Sequence, residues 1–460
     1  MLFLKRFFVL CFLFIITSAN AYLDPGTGSL LLSSVVAIFA SAVYFLKNLF
    51  YKIISVKSFA YGKKNADNAK NSIVFYCEGA RYYATFKPIL DVLDLLHHPY
   101  TYLTSDESDP GLTRQDNDFS TKRYIGTGNK AYTYLNFLQA DICVMTTPGL
   151  QVLQIKRSRA IKHYCHIVHA LTPMTYNTYG LDYCDSVLVT NQMQEDFVRD
   201  VEKAHDIKAK YIAIVGSTYL DELAILHQKL KEQTPKKDKT TILVSPSWGR
   251  ESLLFKYGLR ILEPLAKSTY NIIIRPHPQS LIGQAESENI KKLQSALLAY
   301  KNVEWDIGTP NVLAFNRADL MLSDFSSVIF DFLCLEGKPV ITLDFSFDSA
   351  GYDLADIYDE SNINEFWTFK ALKQIGKKLH EDEISNITEI IEQILKSKEQ
   401  ENALNDIKAK LWPFKHHSGK QSTLEILKIR KNLLENEVDK NLLQNLDLLK
   451  NSITTLESLK

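Results

Sequence analysis

Two things this chain lacks narrow its function before any motif is read. It has no excess of charge of either sign, since Lys plus Arg and Asp plus Glu each number 53 in 460 residues. With no global basic field to hold a polyanion, nucleic-acid binding drops out as a leading function. It also lacks paired cysteines. Beyond Cys11 the thiols are Cys77, Cys143, Cys165, Cys184 and Cys334, an odd set with no CxxC spacing. That excludes a zinc knuckle and reads as reduced, mostly buried thiols of a cytosolic domain. No acidic cluster with metal-site spacing accompanies the polar turns described below, so neither a metal nor a cofactor is expected.

Long uncharged runs are scarce too, and both lie at the N-terminus. Lys5 and Arg6, an apolar run from Phe7 to Ile16 and then Ala19-Asn20-Ala21 have the build of a secretory signal peptide over residues 1–21. Leu30 to Leu46 is a second run of 17 residues, just long enough to cross a hydrocarbon core; a buried soluble helix is the alternative. Lys47, Lys52, Lys57, Lys63 and Lys64 follow it and only Asp24 precedes it. The positive-inside bias then makes residues 22–60 an anchor in the inner membrane, with the rest of the chain on its cytoplasmic side. An uncleaved leader would add a second span and leave that side unchanged.

What is plentiful is core-forming residue, 46% apolar, enough for two domains and appendages. From Asn71 short β-rich runs alternate with amphipathic segments. Ser72–Cys77, Tyr100–Thr104, Lys122–Ile125, Asp141–Thr146, His163–His169, Ser186–Thr190 and Tyr211–Val215 read as strands, and Tyr83–Leu96 and Met193–Lys203 as helices. Such alternation argues an α/β fold with a mostly parallel sheet covered on both faces. Gln228 to Thr240, polar and lysine-rich, reads as a linker. A second αβ series follows, giving two doubly wound halves at 70–228 and 240–420, with ligand expected in the cleft between them. Residues 421–460 carry leucines near heptad spacing, either a coiled-coil contact between copies of the chain or an amphipathic tail packed on its own domain.

Three polar turns follow strands of the second half, and each should sit at the carboxyl edge of the sheet. Pro246-Ser247-Trp248-Gly249-Arg250 follows ILV, Arg275-Pro276-His277-Pro278 follows NIII, and Ser323-Asp324-Phe325-Ser326-Ser327 follows LML and opens an apolar helix. Together they offer Arg for bidentate phosphate contact, His for hydrogen bonding or proton transfer, and Ser with helix N–H groups for phosphate oxygens. The bland readings are that Ser326 and Ser327 merely cap the helix and that the prolines around His277 merely fix a turn. In the first half, His163, His166 and His169 crowd one strand. A packed core histidine and a metal ligand are the alternatives there to a general base at the cleft, the role weighed for His169, whose ordinary pKa suits proton removal at neutral pH.

In these motifs the chain resembles the CDP-glycerol glycerophosphotransferases that build teichoic-acid type polymers. Ser247, Trp248 and Arg250 stand where that family has a Pro-Thr-Trp-Arg-like turn. Arg275 and His277 match its Arg-x-His-Pro turn, and Ser323, Asp324, Ser326, Ser327 and Asp331 match its Ser-Asp-x-Ser-Ser and the Asp in the helix after it. The likeness is good over roughly residues 240 to 350. In the first half, Val168-His169-Ala170-Leu171-Thr172-Pro173 is similar to the family's Trp-His-Gly-Thr-Pro-like turn, without the Trp and Gly and with one residue more before Thr-Pro. The family's Lys shortly afterwards is also missing.

The resemblance implies a GT-B type pair of Rossmann-like domains on the inner face of a membrane. CDP-glycerol would lie on the second half, with its diphosphate held by Arg275, Ser326, Ser327 and the helix N-terminus. Ser247, Trp248, Arg250, Asp324 and Asp331 would complete the binding set. His169 would take the proton of an acceptor hydroxyl, and His277 with Arg275 would stabilise the transferred phosphate. A lipid-linked acceptor would explain the anchor. A GT-B enzyme using a UDP-sugar and a non-catalytic nucleotide-binding membrane protein are the alternatives.

Overall fold

The computed structural model describes residues 41, 72–172, 179–233, 239–344, 347–348, 362, 365–397 and 401–458. The leader and, apart from residue 41, the expected membrane anchor lie outside the described residues. No helix among the described residues is long and apolar enough to cross a membrane.

Residues 66–460 form one compact unit built on two parallel sheets. The first contains β1 (Ile73–Cys77), β2 (Tyr100–Thr104), β3 (Ser120–Tyr124), β4 (Ala140–Met145), β5 (Ile161–Ile167), β6 (Ser186–Val189) and β7 (Tyr211–Ile214) in the spatial order 3-2-1-4-5-6-7. Around it run α1 (Tyr83–Leu95), α2 (Asn129–Asn136) and α3 (Gln192–Ala204). Strand β1 is IVFYC, buried throughout, as expected of a central parallel strand with helices over both faces. The period of two sorts its side chains: Ile73, Phe75 and Cys77 pack with Phe86, Ile89 and Leu90 of α1, while Val74 and Tyr76 pack with Leu135 of α2.

Helix α4 (Thr218–Gln233) leads to the second sheet, made of β8 (Thr241–Val244), β9 (Asn271–Ile274), β10 (Val303–Trp305), β11 (Leu320–Leu322), β12 (Val340–Leu343) and β13 (Lys377–Leu379). Its order is 10-9-8-11-12-13. The polar stretch read as a linker from Gln228 is helical through Gln233, because its lysines occupy the solvent face of α4 rather than a loop. The helix expected from Leu253 to Leu265 is two, α5 (Leu253–Lys256) and α6 (Leu259–Ala266), parted at Gly258, whose φ of +43° suits glycine. Then come α7 (Gln284–Leu297), α8 (Asn311–Arg317), α9 (Val328–Glu336), α10 (Trp367–Leu372), α11 (Ile387–Lys396) and α12 (Glu401–Leu411).

The last helix, α13 (Ser418–Ser458), begins before the expected tail and returns to the first half, where Ile426 and Ile429 join the Phe75 core. Asp221 at the start of α4 receives this crossing chain. Its carboxylate accepts from Trp412 Nε1 (2.9 Å) and from the backbone N–H groups of His416 (2.8 Å) and Ser418 (3.0 Å). Leu434, Val438, Leu442, Leu443, Leu446 and Leu449, further along α13, are exposed.

Candidate active site

In the second sheet β8 and β11 are central neighbours, and the strand order turns back between them. Loops leaving such a pair diverge and open a crevice at the carboxyl ends of the strands. Asp324, 1% exposed, ties the loops of that crevice together. One carboxylate oxygen accepts from the N–H groups of Ser247 (2.8 Å) and Ser326 (3.1 Å), and the other from Leu253 N–H (2.8 Å). Burial pushes its pKa up and those backbone donors pull it back. Ser323 Oγ donates to Ser245 O at 2.6 Å and adds a second clasp. Asp324, expected from the resemblance among the ligand-binding residues, has both oxygens engaged in positioning the turns.

The β9 turn is tied in by a residue that the sequence reading missed. Glu286, in the first turn of α7, accepts from Gly249 N–H (2.7 Å) and Ser280 Oγ (2.8 Å), joining the Trp248 turn to the His277 turn. Nothing sets it apart in sequence from other acidic residues on amphipathic helices. Trp248 is half exposed, and its ring lies tilted against His277 with centroids 6.3 Å apart. His277 Nδ1 accepts from Gln279 N–H (3.2 Å), so a neutral imidazole carries its proton on Nε2. Burial lowers the His277 pKa, opposed by Glu286, and the ring stays neutral near pH 7.

Arg275 is more committed than a free phosphate fork. Nε donates to Asn311 Oδ1 (3.0 Å), one terminal nitrogen to Asp306 (2.6 Å) and Thr309 Oγ1 (3.4 Å), and the other to Thr309 O. Of its five N–H groups these bonds leave one uncommitted. Arg250 pairs with Asp348 on the surface. At the opening of α9, Ser327 is exposed and makes no side-chain cap bond, so the capping role weighed for it is not realised; Ser326 is buried, with its N–H on Asp324. Asp331, half-buried in the first turn of α9, has its pKa pushed up to about 7 by burial. Tyr219 of α4 feels the charges of both Asp331 and Arg275, after the larger effect of its own burial.

In the first half His169 stands two residues beyond the end of β5, not on the strand as expected. Its loop is fixed through its carbonyls. Ala170 O accepts from Thr190 Oγ1 (3.2 Å) and Gln194 Nε2 (2.5 Å), Leu171 O from Asn191 Nδ2 (2.7 Å), and Thr172 O from Gln194 Nε2 (2.9 Å). Leu171 belongs to the same core cluster as Ile329 and Phe330 of α9, so the loop and the helix opened by Ser326-Ser327 rest on shared packing. His169 meets the Tyr82 ring edge-to-face at 5.1 Å. Burial first, then Arg81, push its pKa down to about 4. Of the two histidines on β5, His166 is fully buried, its pKa pushed down to about 3, and His163 is half-buried with Nε2 bonded to Ser186 Oγ at 2.8 Å.

Ser247, Trp248, His277, Asp324 and Ser326 are thus joined into one crevice on the second half, and His169 is held on the first. Among the described residues no group of three or more His, Cys, Asp or Glu is placed to hold a metal ion, and the five cysteines they contain are buried and free.

Two parallel sheets in one unit, with a polar crevice at the strand-order reversal of the second, define a GT-B-like architecture suited to a nucleotide-activated donor. Within that class the chain belongs to the CDP-glycerol:poly(glycerophosphate) glycerophosphotransferase family, whose model matches residues 64–362. The reaction is accordingly transfer of glycerol phosphate from CDP-glycerol to an acceptor hydroxyl, with release of CMP. The fold is similar to that of the wall teichoic acid polymerase TagF at 18% identity and a TM-score of 0.51, covering 85% of this chain and 99% of that one. A TagF histidine variant soaked with CDPG gives a TM-score of 0.53 at 16% identity, covering 85% and 98% of the two chains. A protein assigned as a UDP-N-acetylglucosamine 2-epimerase from Listeria monocytogenes gives 0.52 at 13% identity, covering 80% and 98%. No curated protein matches the chain in sequence.

Proposed function

We propose that CDP-glycerol binds in the crevice of the second half and is attacked by an acceptor hydroxyl presented from the first. The diphosphate lies against the opening of α9 and the Ser326 and Ser327 hydroxyls, with Trp248 beside it and Asp331 deeper in the crevice. Arg275, Ser247 and Asp324 shape the turns, and Arg250 stands at the rim. His169 accepts the proton as the acceptor oxygen bonds to the β-phosphorus. The bond from that phosphorus to the bridging oxygen breaks, and CMP leaves with the electron pair. His277 donates its Nε2–H to the phosphate oxygens as charge builds. Donors aimed at developing charge commonly carry a large share of the rate.

The observation that supports this most is the union of three strand-end turns through Asp324 and Glu286, which leaves the Nε2 face of His277 as the donor. His277→Ala should lower CMP release from CDP-glycerol by about a hundredfold to a thousandfold with an unchanged melting temperature. Turnover within threefold of wild type would remove His277 from the mechanism. Supplying UDP-sugars to the same protein separates the donor assignment from a sugar-nucleotide reading.

The apolar N-terminal run with lysines after it supports attachment to the inner membrane with the catalytic halves on the cytoplasmic side, and a lipid-linked acceptor accords with that placement. The exposed leucines of α13 support association of two copies of the chain through this helix. Sedimentation of the protein with Leu442→Glu and Leu446→Glu tests that association.

A further inference from the structure

The first half has its own strand-order reversal, between β1 and β4. The turn Glu78-Gly79-Ala80-Arg81-Tyr82 leaves β1 there, enters α1 and carries Tyr82 to the His169 ring, which it meets at an interplanar angle of 68°. Several contacts hold the Tyr82 ring still. Tyr82 N–H donates to Gly79 O (2.9 Å) and Ala80 N–H to the Asp106 carboxylate (2.9 Å), which Ser108 anchors through its N–H (2.9 Å) and its hydroxyl (2.7 Å). Tyr82 packs against the core of Phe75 and Phe86, and the Arg81 guanidinium lies over its ring, 4.7 Å from the centroid.

A histidine base is commonly set by a hydrogen bond from its second nitrogen to a carboxylate or carbonyl, which fixes both tautomer and ring. His169 has no such bond among the described residues. Its Nδ1 is buried without a partner, and Nε2, unbonded as well, is the nitrogen that reaches solvent. The bonds from Thr190, Asn191 and Gln194 go to loop carbonyls, so they hold the backbone and leave the imidazole free to turn. We propose that Tyr82 is a positioning residue of the reaction: its ring sets the His169 imidazole with Nε2 toward the acceptor hydroxyl, the task a hydrogen-bonded carboxylate performs elsewhere. This rests on His169 being the base of the proposed function. The same ring keeps water from the imidazole, and burial, more than Arg81, is what lowers the His169 pKa. The other ionisable groups around it are His166 on β5 and the carboxylates Glu78 and Asp106, bonded by neutral donors alone.

The test follows CMP release from CDP-glycerol by the full chain with poly(glycerophosphate) as acceptor. Tyr82→Leu, which keeps an apolar side chain against the core but no ring, should lower kcat by about tenfold to a hundredfold, as a small misplacement of a reacting group does. The KM for CDP-glycerol should stay as in wild type. Tyr82→Phe should keep kcat within about threefold of wild type, since the ring and not the hydroxyl makes the contact. Joined to His169→Ala, Tyr82→Leu should cost nothing further, because no base is left to position. In Tyr82→Ala the imidazole is opened to water, and the acid limb of kcat/KM should move up from about 4 toward ~6.5. That limb is read from relative rates, so a lower melting temperature in this variant does not shift it. A Tyr82→Leu variant at wild-type kcat, a loss that adds in full to that of His169→Ala, or an acid limb that stays in place overturns the role of Tyr82 and leaves the base standing. Wild-type turnover in His169→Ala overturns the base, and this proposal with it.

Discussion

The Asp324 carboxylate is bonded to three backbone N–H groups on two different loops. Replacing it by Ala would leave those donors buried without acceptors, at about 1–3 kcal/mol each. The expected loss for Asp324→Ala is about 3–5 kcal/mol of unfolding free energy, read from the urea midpoint at constant m-value. Asp324→Asn should lose less, because the amide oxygen keeps one side of the clasp while its NH2 faces a donor on the other. A loss below about 1 kcal/mol for Asp324→Ala would mean that the loops hold without it. The strand-end placement of this aspartate was legible in the sequence, but its task was not. A Ser-Asp-x-Ser-Ser pattern identifies a carboxylate at a helix opening, and only the fold reveals that its oxygens turn back to Ser247 and Leu253. The same holds for Arg275, whose partners Asp306, Thr309 and Asn311 lie more than thirty residues on. Glu286 carried no signal at all.

At the scale of elements, the start of α13 decides how the C-terminal chain returns to the first half. Gly419 sits in its first turn, where an added Cβ would lie 2.6 Å from the Pro88 carbonyl oxygen of α1. Helix propensity alone favours Ala over Gly by about 1 kcal/mol, so on local grounds Gly419→Ala should stabilise. Backbone cannot yield as a flexible side chain can, and the contact is expected to win. Gly419→Ala should therefore lower the melting temperature, and a rise would show that α13 slides without cost. Most strands were legible within a residue or two because parallel strands buried on both faces read as short apolar runs. Strand β5 lies two residues earlier than expected at both ends. The histidine run extends its pattern to His169, yet the ladder stops at Ile167, and the carbonyls beyond it are taken by Thr190, Asn191 and Gln194. Such long-range side-chain capture leaves no mark on local periodicity. The return of α13 across α1 was equally hidden, since an amphipathic helix does not name the face it covers.

At the scale of the whole molecule, the proposed function divides labour between the halves, and that division makes a prediction with two opposed signs. Ser327 lies exposed at the opening of α9 and makes no cap bond, so a longer side chain there meets no packed neighbour. Ser327→Glu places a carboxylate at the positive end of the helix, which should raise stability slightly, by about 0.3–1 kcal/mol. The same charge faces the site proposed for the donor diphosphate, so CDP-glycerol affinity measured by calorimetry should fall by tenfold or more, about 1.4 kcal/mol. His169→Ala on the other half should do the reverse. Its donor affinity should stay within threefold of wild type, while transfer falls by about a hundredfold to ten-thousandfold, as for loss of a general base. If His169→Ala instead weakened donor binding as much as Ser327→Glu, the donor would have to span both halves in the ground state. The rigid setting of the His169 loop, through Gln194 and the Leu171 contact with the α9 cluster, would then serve donor capture rather than acceptor activation.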